Sequence, residues 1–311
     1  MDLASIAEML AQGLPQAIVS GLVYGSIYAL VAQGYYVTFS TTDTLNFAQG
    51  DFLMIAAMLS FTVLGGLALS GVSLWLALLA AIAVVVVVLA LMGIAVERIA
   101  IRPLRGIFSF GWILSTVGVA VILRQMAEII WGREHMRVPS VFGDVPIRLN
   151  LGTVQIGILP QEVFILAASL GAMIAVLFFL KKSRLGKAMA AVAFNAPAAA
   201  LMGINVRHIV VLSYALSSVL AGLAGVLVAP VLFAHAHMGT LPGLKAFAVG
   251  IIGGLGNPVG ILVVGLALGI VEFVVAIFNA SLRDAVTFLI LIAILAWRPM
   301  GLFDKSGREK V

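Results

Sequence analysis

Long apolar segments recur along the whole of this chain, with short polar stretches between them. Most of them are about 17 to 25 residues long, the length that an α-helix needs to cross a lipid bilayer. The expected helices cover approximately residues 14–38, 46–64, 72–96, 109–131, 161–180, 207–232, 244–255, 259–277 and 284–297. The pattern predicts an all-α, polytopic membrane helix bundle with eight or nine spans.

The segment 244–255 differs from the others in length. A helix over these residues rises only about 18 Å, whereas the hydrocarbon core of a bilayer is about 30 Å thick. We therefore expect a re-entrant or broken span at this point in the chain.

Small residues occur at every fourth position in several of the expected helices. Gly21, Gly25 and Ala29 form one such stripe, and Gly265 and Gly269 form another. Lipid provides no hydrophobic force between helices, so membrane helices associate through stripes like these, which let two backbones approach closely. The stripes predict a compact bundle.

The composition agrees with a membrane protein. Of the 311 residues, 63% are hydrophobic and 10% are charged, and the mean hydropathy is +1.20, whereas soluble domains are about half apolar and a quarter charged. The chain has no cysteine, which excludes disulfides and thiolate metal sites. No repeat of about 20 to 50 residues stands out, so we expect residues 1–311 to form a single transmembrane domain.

The basic residues predict an orientation. If the amino terminus lies outside, twelve of the 18 lysines and arginines fall in cytoplasmic segments, in agreement with the positive-inside rule. These twelve are Arg98, Arg102, Arg105, Lys181, Lys182, Arg184, Lys187, Arg207, Arg298, Lys305, Arg308 and Lys310. Arg133, Arg137, Arg148, Lys245 and Arg283 then lie outside, and the carboxyl terminus is cytoplasmic.

Polar side chains interrupt the first two apolar segments. Polar groups are costly in hydrocarbon unless they are paired, hydrated or functional. Two tyrosines one turn apart, followed by a glutamine, give the first helix a polar edge, and two amides and a carboxylate open the second. We expect these residues to surround a path for a small polar solute: Tyr24, Tyr28, Gln33, Asn46, Gln49 and Asp51.

Charged side chains also lie well inside two of the expected helices, 109–131 and 259–277. Arg124 and Glu128 are four residues apart, so they share a helix face and are expected to form an ion pair within the membrane. Glu272 has no partner nearby in the sequence. It either marks a functional site or accepts hydrogen bonds from serine or backbone donors of a neighbouring helix, and the sequence leaves both interpretations open.

The sequence argues against catalysis by this chain. It contains neither GxxxxGK[ST] nor HExxH, and its four histidines lie in or beside loops, so none is expected to act as a base inside a membrane helix. His235 and His237 flank one alanine in an outer loop, but two nitrogens alone make a poor metal site. We expect no metal and no cofactor in this chain.

A short surface helix is predicted between the fifth and sixth long helices, within residues 181–207. Pro197 suits the first turn of a helix capped by Asn195 or Ala196, and Gly203 suits its end. Such a helix between two spans would allow a soluble partner to move both of them.

Three blocks in this sequence resemble one transporter family. The segment 181–227 resembles the coupling segment of ABC importer permeases. "GLVYGSIYALVAQGY" with "LNFAQGDFLM", and "GGLGNPVGILVVGLALGIVEF", are similar to the branched-chain amino-acid permeases, specifically to the shorter of their two permease subunits. The resemblance covers residues 21–297.

The resemblance implies a set of partners and contacts. A separate binding protein would deliver the solute, two ATPase subunits would bind Mg-ATP and drive transport, and a second, related permease would complete a bacterial inner-membrane importer. The translocation path would include Asn46, Phe47, Ala48, Gly50 and Asp51. The ATPase would contact the coupling residues Asn195, Pro197, Ala199, Ala200, Leu201, Gly203, Ile204 and Asn205.

The chain departs from the family pattern at several positions. Residues 188–206 contain no acidic group, and Ala190 and Ala198 replace charged residues that relatives often carry, so docking to the ATPase would depend on apolar contacts. Gln49 stands where relatives often have histidine.

The expected transported solutes are branched-chain amino acids, with urea, short amides and aromatic acids as alternatives. A self-sufficient channel or ion-coupled carrier, or a purely structural subunit, are the alternatives from other classes, and no nucleic-acid partner is expected.

Overall fold

The computed structural model describes residues 3–104, 111–143, 145–151 and 154–303. The helices are α1 (Leu3–Thr42), α2 (Gln49–Leu69), α3 (Leu74–Val96), α4 (Gly111–Trp131), α5 (Pro160–Lys182), α6 (Arg184–Phe194), α7 (Ala196–Leu201), α8 (Val206–Leu232), α9 (Thr240–Gly253), α10 (Pro258–Phe278) and α11 (Arg283–Trp297). Ser109, at the start of the fourth expected helix, and Arg105, Lys305, Arg308 and Lys310 lie outside the described residues.

Eight helices in the described ranges are long and apolar enough to cross a membrane. This confirms the prediction of a polytopic helical bundle with eight or nine spans. The short segment is also confirmed as a helix, α9, although it begins four residues earlier than expected. Its 14 residues rise only about 21 Å, so α9 is too short to span the bilayer alone.

Helices α1 and α10 pack with their backbones in contact through the predicted glycine stripes. A Cβ atom added to Gly21 would lie 2.6 Å from the Ile270 Cα, and one added to Gly25 would lie 2.5 Å from the Gly265 carbonyl oxygen. Larger side chains would force the two helices apart. The stripes therefore set the central helix pair of the bundle, in agreement with the sequence analysis.

The outer helices α3, α4, α5 and α11 expose mostly apolar side chains. Leu91 on α3, Ile129 on α4, Ile174 on α5 and Ile292 on α11 are all more than half exposed. Exposed apolar surface on this scale is typical of helices that face lipid or another membrane subunit.

A β-hairpin lies between α4 and α5, in a segment to which the all-α prediction assigned no helix. Strands β1 (Ile147–Leu151) and β2 (Val154–Ile158) pair antiparallel, with Ile147 opposite Ile158. The alternation of apolar residues in both segments is a strand signal that the sequence analysis overlooked. The hairpin contacts the bundle through the Gly157 amide, which donates to the Gln16 side-chain oxygen at 3.0 Å.

Candidate functional site

The first buried polar group surrounds the start of α2, and we call Gly34, Asn46, Gln49 and Ser217 the amide cluster. The Gln49 Nε2 donates to the Ser217 carbonyl oxygen at 2.9 Å, and the Ser217 Oγ lies 2.8 Å from the Gly34 carbonyl oxygen and 3.2 Å from the Gln49 Oε1. Gln49 and Ser217 are buried. These bonds join α1, α2 and α8 without any charged group.

Helix α2 begins inside the bundle, and not at residue 46 as predicted. Ser217 lies about 16 Å along α8 from Val206 and about 22 Å from Leu232, so Gln49 faces the middle of α8. The non-helical residues before Gln49 are held beside the first half of α8, where the Thr44 hydroxyl lies 2.7 Å from the Tyr214 hydroxyl. Irregular backbone at membrane depth is tolerated only where protein or a water-filled cavity surrounds it.

The amide cluster has unused hydrogen-bonding capacity. Asn46 precedes the helix, and its Oδ1 accepts from the Ala48 amide at 3.1 Å. Among the described residues, the Asn46 Nδ2 and both polar atoms of the buried Gln33 have no hydrogen-bond partner. Such groups can bind a transient polar ligand or water.

The predicted ion pair between Arg124 and Glu128 is wrong. The Arg124 Nε lies 2.9 Å from the Asp51 Oδ1, at an angle that forms an ion pair without a good hydrogen bond. Glu128 instead binds Arg133 and His237, each at 2.8 Å. Spacing along α4 brought Arg124 and Glu128 to one face, but α2 provides a buried carboxylate that sequence spacing does not reveal.

The second buried polar group, which we call the ionic cluster, comprises Lys245, Glu272, Arg283 and Asp284. The Lys245 Nζ donates to the Glu272 Oε1 and, at 2.6 Å, to the Asp284 Oδ1. The Arg283 Nε donates to the Glu272 Oε1 at 2.8 Å. Two cations and two carboxylates from α9, α10 and α11 therefore balance one another.

This cluster corrects two predictions. Lys245 was placed in an outer segment, but it lies on α9 and is 3% exposed. Glu272 was left either without a partner or with serine and backbone donors, but it is fully buried between Lys245 and Arg283. Its second oxygen, Oε2, has no hydrogen-bond partner within the described ranges.

Aromatic rings cover the ionic cluster. The Arg283 guanidinium lies 4.0 Å from the Phe273 ring centroid and 5.2 Å from that of Tyr24, and the Lys245 Nζ lies 5.5 Å from that of Tyr28. Desolvated cation–π contacts of this kind stabilise buried cations.

The predicted path residues therefore divide between two clusters. Glu272 belongs to the ionic cluster, and Tyr24 and Tyr28 pack against its cations. Asn46, Gln49 and Asp51 lie at or just before the start of α2. The Phe247 ring, on the same helix as Lys245, packs beside the start of α2, since it lies 5.4 Å from the Phe47 ring and 6.0 Å from the Tyr35 ring. Whether these residues line a path stays a prediction.

The segment between α5 and α8 forms two short helices, of which the sequence analysis expected only the second, α7. The Asn195 Oδ1 caps α7 by accepting from the Ala198 amide at 2.9 Å, and Pro197 lies in the first turn. Gly203 adopts a φ of +84° after the helix, a conformation that favours glycine. The Asn205 Oδ1 then caps α8 by accepting from the His208 amide at 3.1 Å.

The segment 183–205, which we call the coupling segment, presents large apolar side chains to its surroundings. Leu201, Met202 and Phe194 are 90%, 84% and 72% exposed. Ala199 is buried against α6 and α8, with Ile204 packed beside it, whereas Ala200 is exposed. Its inner face is therefore fixed and its outer face is unpartnered within the described chain.

The histidines of the α8–α9 connection lie beside the end of α4. The His235 and His135 rings are 4.1 Å apart, and His237 binds Glu128. Burial lowers the pKa of His235. Within the part of the chain that the structure describes, no three histidine or acidic side chains are grouped to hold a metal ion.

Comparison with known proteins gives one consistent result. Residues 17–295 match a family described as a branched-chain amino acid transport system permease component. The chain is 29% identical over 299 residues to the high-affinity branched-chain amino acid permease LivH of Escherichia coli K12, covering 95% of this chain and 97% of the relative. It is 32% identical over 305 residues to BraD of Pseudomonas aeruginosa, with the same coverage.

A solved structure of PsaBC from Streptococcus pneumoniae, in complex with Fab, is also similar. The identity is 13%, the coverage is 94% of this chain and 95% of the other, and the TM-score is 0.44. This value is too low to show a shared fold.

Proposed function

This chain belongs to the branched-chain amino acid transport system permease family, and we propose that it imports branched-chain amino acids as one of two membrane subunits driven by separate ATPases. It is a multi-pass membrane protein and a transport subunit. Mg-ATP would bind to the two ATPase subunits, and a second, related permease and a solute-binding protein would complete the importer in a bacterial inner membrane.

The coupling segment is the observation that supports an external motor. Leu201, Met202 and Phe194 are exposed on a segment expected to lie in the aqueous phase, where large exposed apolar groups mark binding surfaces. Caps at Asn195 and Asn205 fix the geometry of the segment. A partner that grips these side chains can therefore move α5 and α8 together.

The proposed orientation places the amino terminus outside and residues 181–207 in the cytoplasm. Arg98, Lys182 and Arg207 then lie at the cytoplasmic ends of α3, α5 and α8, in agreement with the positive-inside rule. The binding protein would dock on the opposite side, near the β-hairpin and His237.

The two polar clusters support a path for a zwitterionic solute. An amino acid carries an ammonium and a carboxylate even when its side chain is apolar, and both must be compensated in transit. Asn46, Gln49 and Asp51 are proposed to contact it in one region, and Tyr24, Tyr28 and Glu272 in the other, with Phe47 between them. The unpaired atoms of Asn46 and Glu272 provide weak, reversible contacts, as transport requires.

Reconstitution of the complete importer in liposomes tests the motor. Leu201→Asp with Met202→Asp should reduce permease-stimulated ATP hydrolysis at least about tenfold, because two buried charges would face an apolar cleft. Leu69→Asp, on a side chain that is 92% exposed at the end of α2, is the matched control and should leave hydrolysis unchanged.

Solute uptake in the same liposomes tests the substrate and the class of transporter. Labelled leucine should accumulate only with ATP and the ATPases, and urea or benzoate should not compete. Uptake without ATPase or ATP would instead show a self-sufficient channel or carrier. Competition by urea or by aromatic acids would favour one of those alternative cargoes.

A further inference from the structure

The exposed face of α5 changes abruptly from apolar to basic at its carboxyl end. Ile174 and Phe178 are 60% and 65% exposed. Lys181 and Lys182 follow three and four residues after Phe178 and are also exposed. Residues at these spacings share one helix face. This face is therefore apolar along the helix and polar at the carboxyl end. A phospholipid has the same arrangement, with apolar acyl chains and a polar headgroup.

The first turn of α6 continues the basic surface. Arg184 and Lys187 are exposed there, although the positive end of the helix dipole makes the first turn an unfavourable place for cations. Helix stability does not explain these two side chains. Together with the dipole they create a local field that favours an anion.

The corner between α5 and α6 is fixed. A Cβ atom added to Gly186 would lie 2.5 Å from the Leu180 Cα and from the Phe179 carbonyl oxygen, so the two helices meet without space between them. The Ser183 Oγ accepts from the Gly186 amide at 2.8 Å and caps α6. The four cations are therefore attached to a rigid corner and not to a mobile loop.

The charge at this corner is not compensated by any residue that the structure describes. Residues 163–271 contain no aspartate or glutamate, and within the described ranges none of the four cations forms an ion pair. Other basic side chains differ, since Arg102 binds Glu97 at 2.7 Å and Arg124 lies against Asp51. The described residues therefore provide no counter-ion for this corner.

We propose that the α5–α6 corner binds an anionic phospholipid. Its phosphate would lie among Lys181, Lys182, Arg184 and Lys187, and its acyl chains would lie along Phe178 and Ile174. An acidic protein surface or free phosphate would have no use for this apolar continuation. The site does not include the exposed apolar side chains of the coupling segment. The proposed function is needed only to identify the membrane leaflet as the cytoplasmic one.

Native mass spectrometry of the full chain tests this site. Dioleoyl-phosphatidylglycerol should bind in preference to dioleoyl-phosphatidylcholine. A juxtamembrane cation contributes about fivefold to such binding, so Lys182→Gln with Lys187→Gln should weaken it about 25-fold. Lys182→Arg with Lys187→Arg should retain it, and Phe178→Gln should weaken it with every charge in place. Circular dichroism melting checks that each variant is folded.

A matched charge control and a competitor decide between the sources of the anion. Arg98→Gln with Arg298→Gln removes two exposed cations elsewhere and should leave phosphatidylglycerol bound. Equal loss in this control, equal binding of the two lipids, or displacement by millimolar inorganic phosphate would each overturn the proposal.

A functional readout separates this inference from the proposed function. If the lysine pair variant retains lipid but loses ATPase stimulation, the corner contacts the ATPase and the lipid proposal is wrong. If the importer transports leucine but the chain binds phosphatidylglycerol and phosphatidylcholine equally, only the lipid proposal is wrong. The importer assignment then stands.

Discussion

The ionic cluster and the amide cluster place polar groups in the same bundle by different means. In the ionic cluster, Lys245 and Arg283 approach Glu272 from α9 and α11, so full charges are balanced by residues far apart in sequence. In the amide cluster, Gln49 and Ser217 bond to each other and to backbone carbonyl oxygens. No formal charge is buried there.

This difference bears on what each cluster can do. Breaking a buried ion pair leaves an uncompensated charge and costs about 3–5 kcal/mol, whereas side-chain hydrogen bonds within membrane bundles average about 0.6 kcal/mol. The ionic cluster therefore fastens α9 to α10 and α11. The bonds of the amide cluster cost less to break, which suits the proposed contact with a passing solute.

The largest expected effect comes from Glu272→Leu. It leaves Lys245 and Arg283 with only the half-exposed Asp284 for compensation, so the free energy of unfolding should fall by about 3–5 kcal/mol. Titration with sodium dodecyl sulfate, followed by circular dichroism, measures the change. Adding Lys245→Met to Glu272→Leu should recover part of the loss, because one unpaired cation is removed. A double variant less stable than the single one would contradict charge balance as the cause.

Gln49→Leu should have an intermediate effect. It removes the bonds between Gln49 and Ser217 without leaving a charge, so we expect a loss of about 1 kcal/mol in the same titration. The relative loss in the leucine uptake rate of the reconstituted importer should exceed the relative loss in the free energy of unfolding. A stability loss as large as that of Glu272→Leu would show that the clusters do not differ in kind.

Asp284→Asn tests the edge of the ionic cluster. The Asp284 side chain is 50% exposed, so its attraction to Lys245 is screened by solvent, and the loss should stay below about 1 kcal/mol. Asp51→Asn, which removes the partner of Arg124 from a side chain only 5% exposed, is the buried comparison and should cost more. Equal losses would mean that burial does not set the strength of these pairs.

The smallest expected effect involves His235, which lies in the connection between α8 and α9, apart from both clusters. Burial lowers the pKa of His235 below its ordinary value of 6.5. The unfolded chain therefore takes up this proton first as the pH falls below about 6.5, and stability decreases until the folded state is protonated as well. His235→Asn should reduce this decrease between pH 7.5 and 5.5, measured as the unfolding midpoint. An unchanged pH dependence in His235→Asn would exclude this residue as the cause.

Much of the fold could be predicted from local patterns. Apolar length predicted the spans and the short α9, glycine spacing predicted close packing of the helices, and Asn195 and Gly203 predicted the ends of α7. The strands β1 and β2 carried a readable alternation that was missed. Each of these features depends on residues close together in the chain, where spacing alone defines the geometry.

The polar clusters were predicted less well. Lys245 was counted among the outer basic residues and given no partner, although the expected helix 244–255 includes it. Arg124 was paired with the nearest carboxylate along its helix. Their actual partners, Glu272 and Asp51, lie on other helices. An inspection of charges for balance within the membrane would have paired Lys245 with Glu272, but it would not have identified Ser217 as the partner of Gln49.

The sequence by itself determined that this protein is a membrane helix bundle with a capped coupling segment, because hydrophobic length and helix-end chemistry act over a few residues. Only the tertiary structure decided which buried polar groups meet and that α2 starts beside the middle of α8. The physical reason is that a buried polar group takes whichever partner packing brings within about 3 Å, and the helix that provides it can be anywhere in the chain.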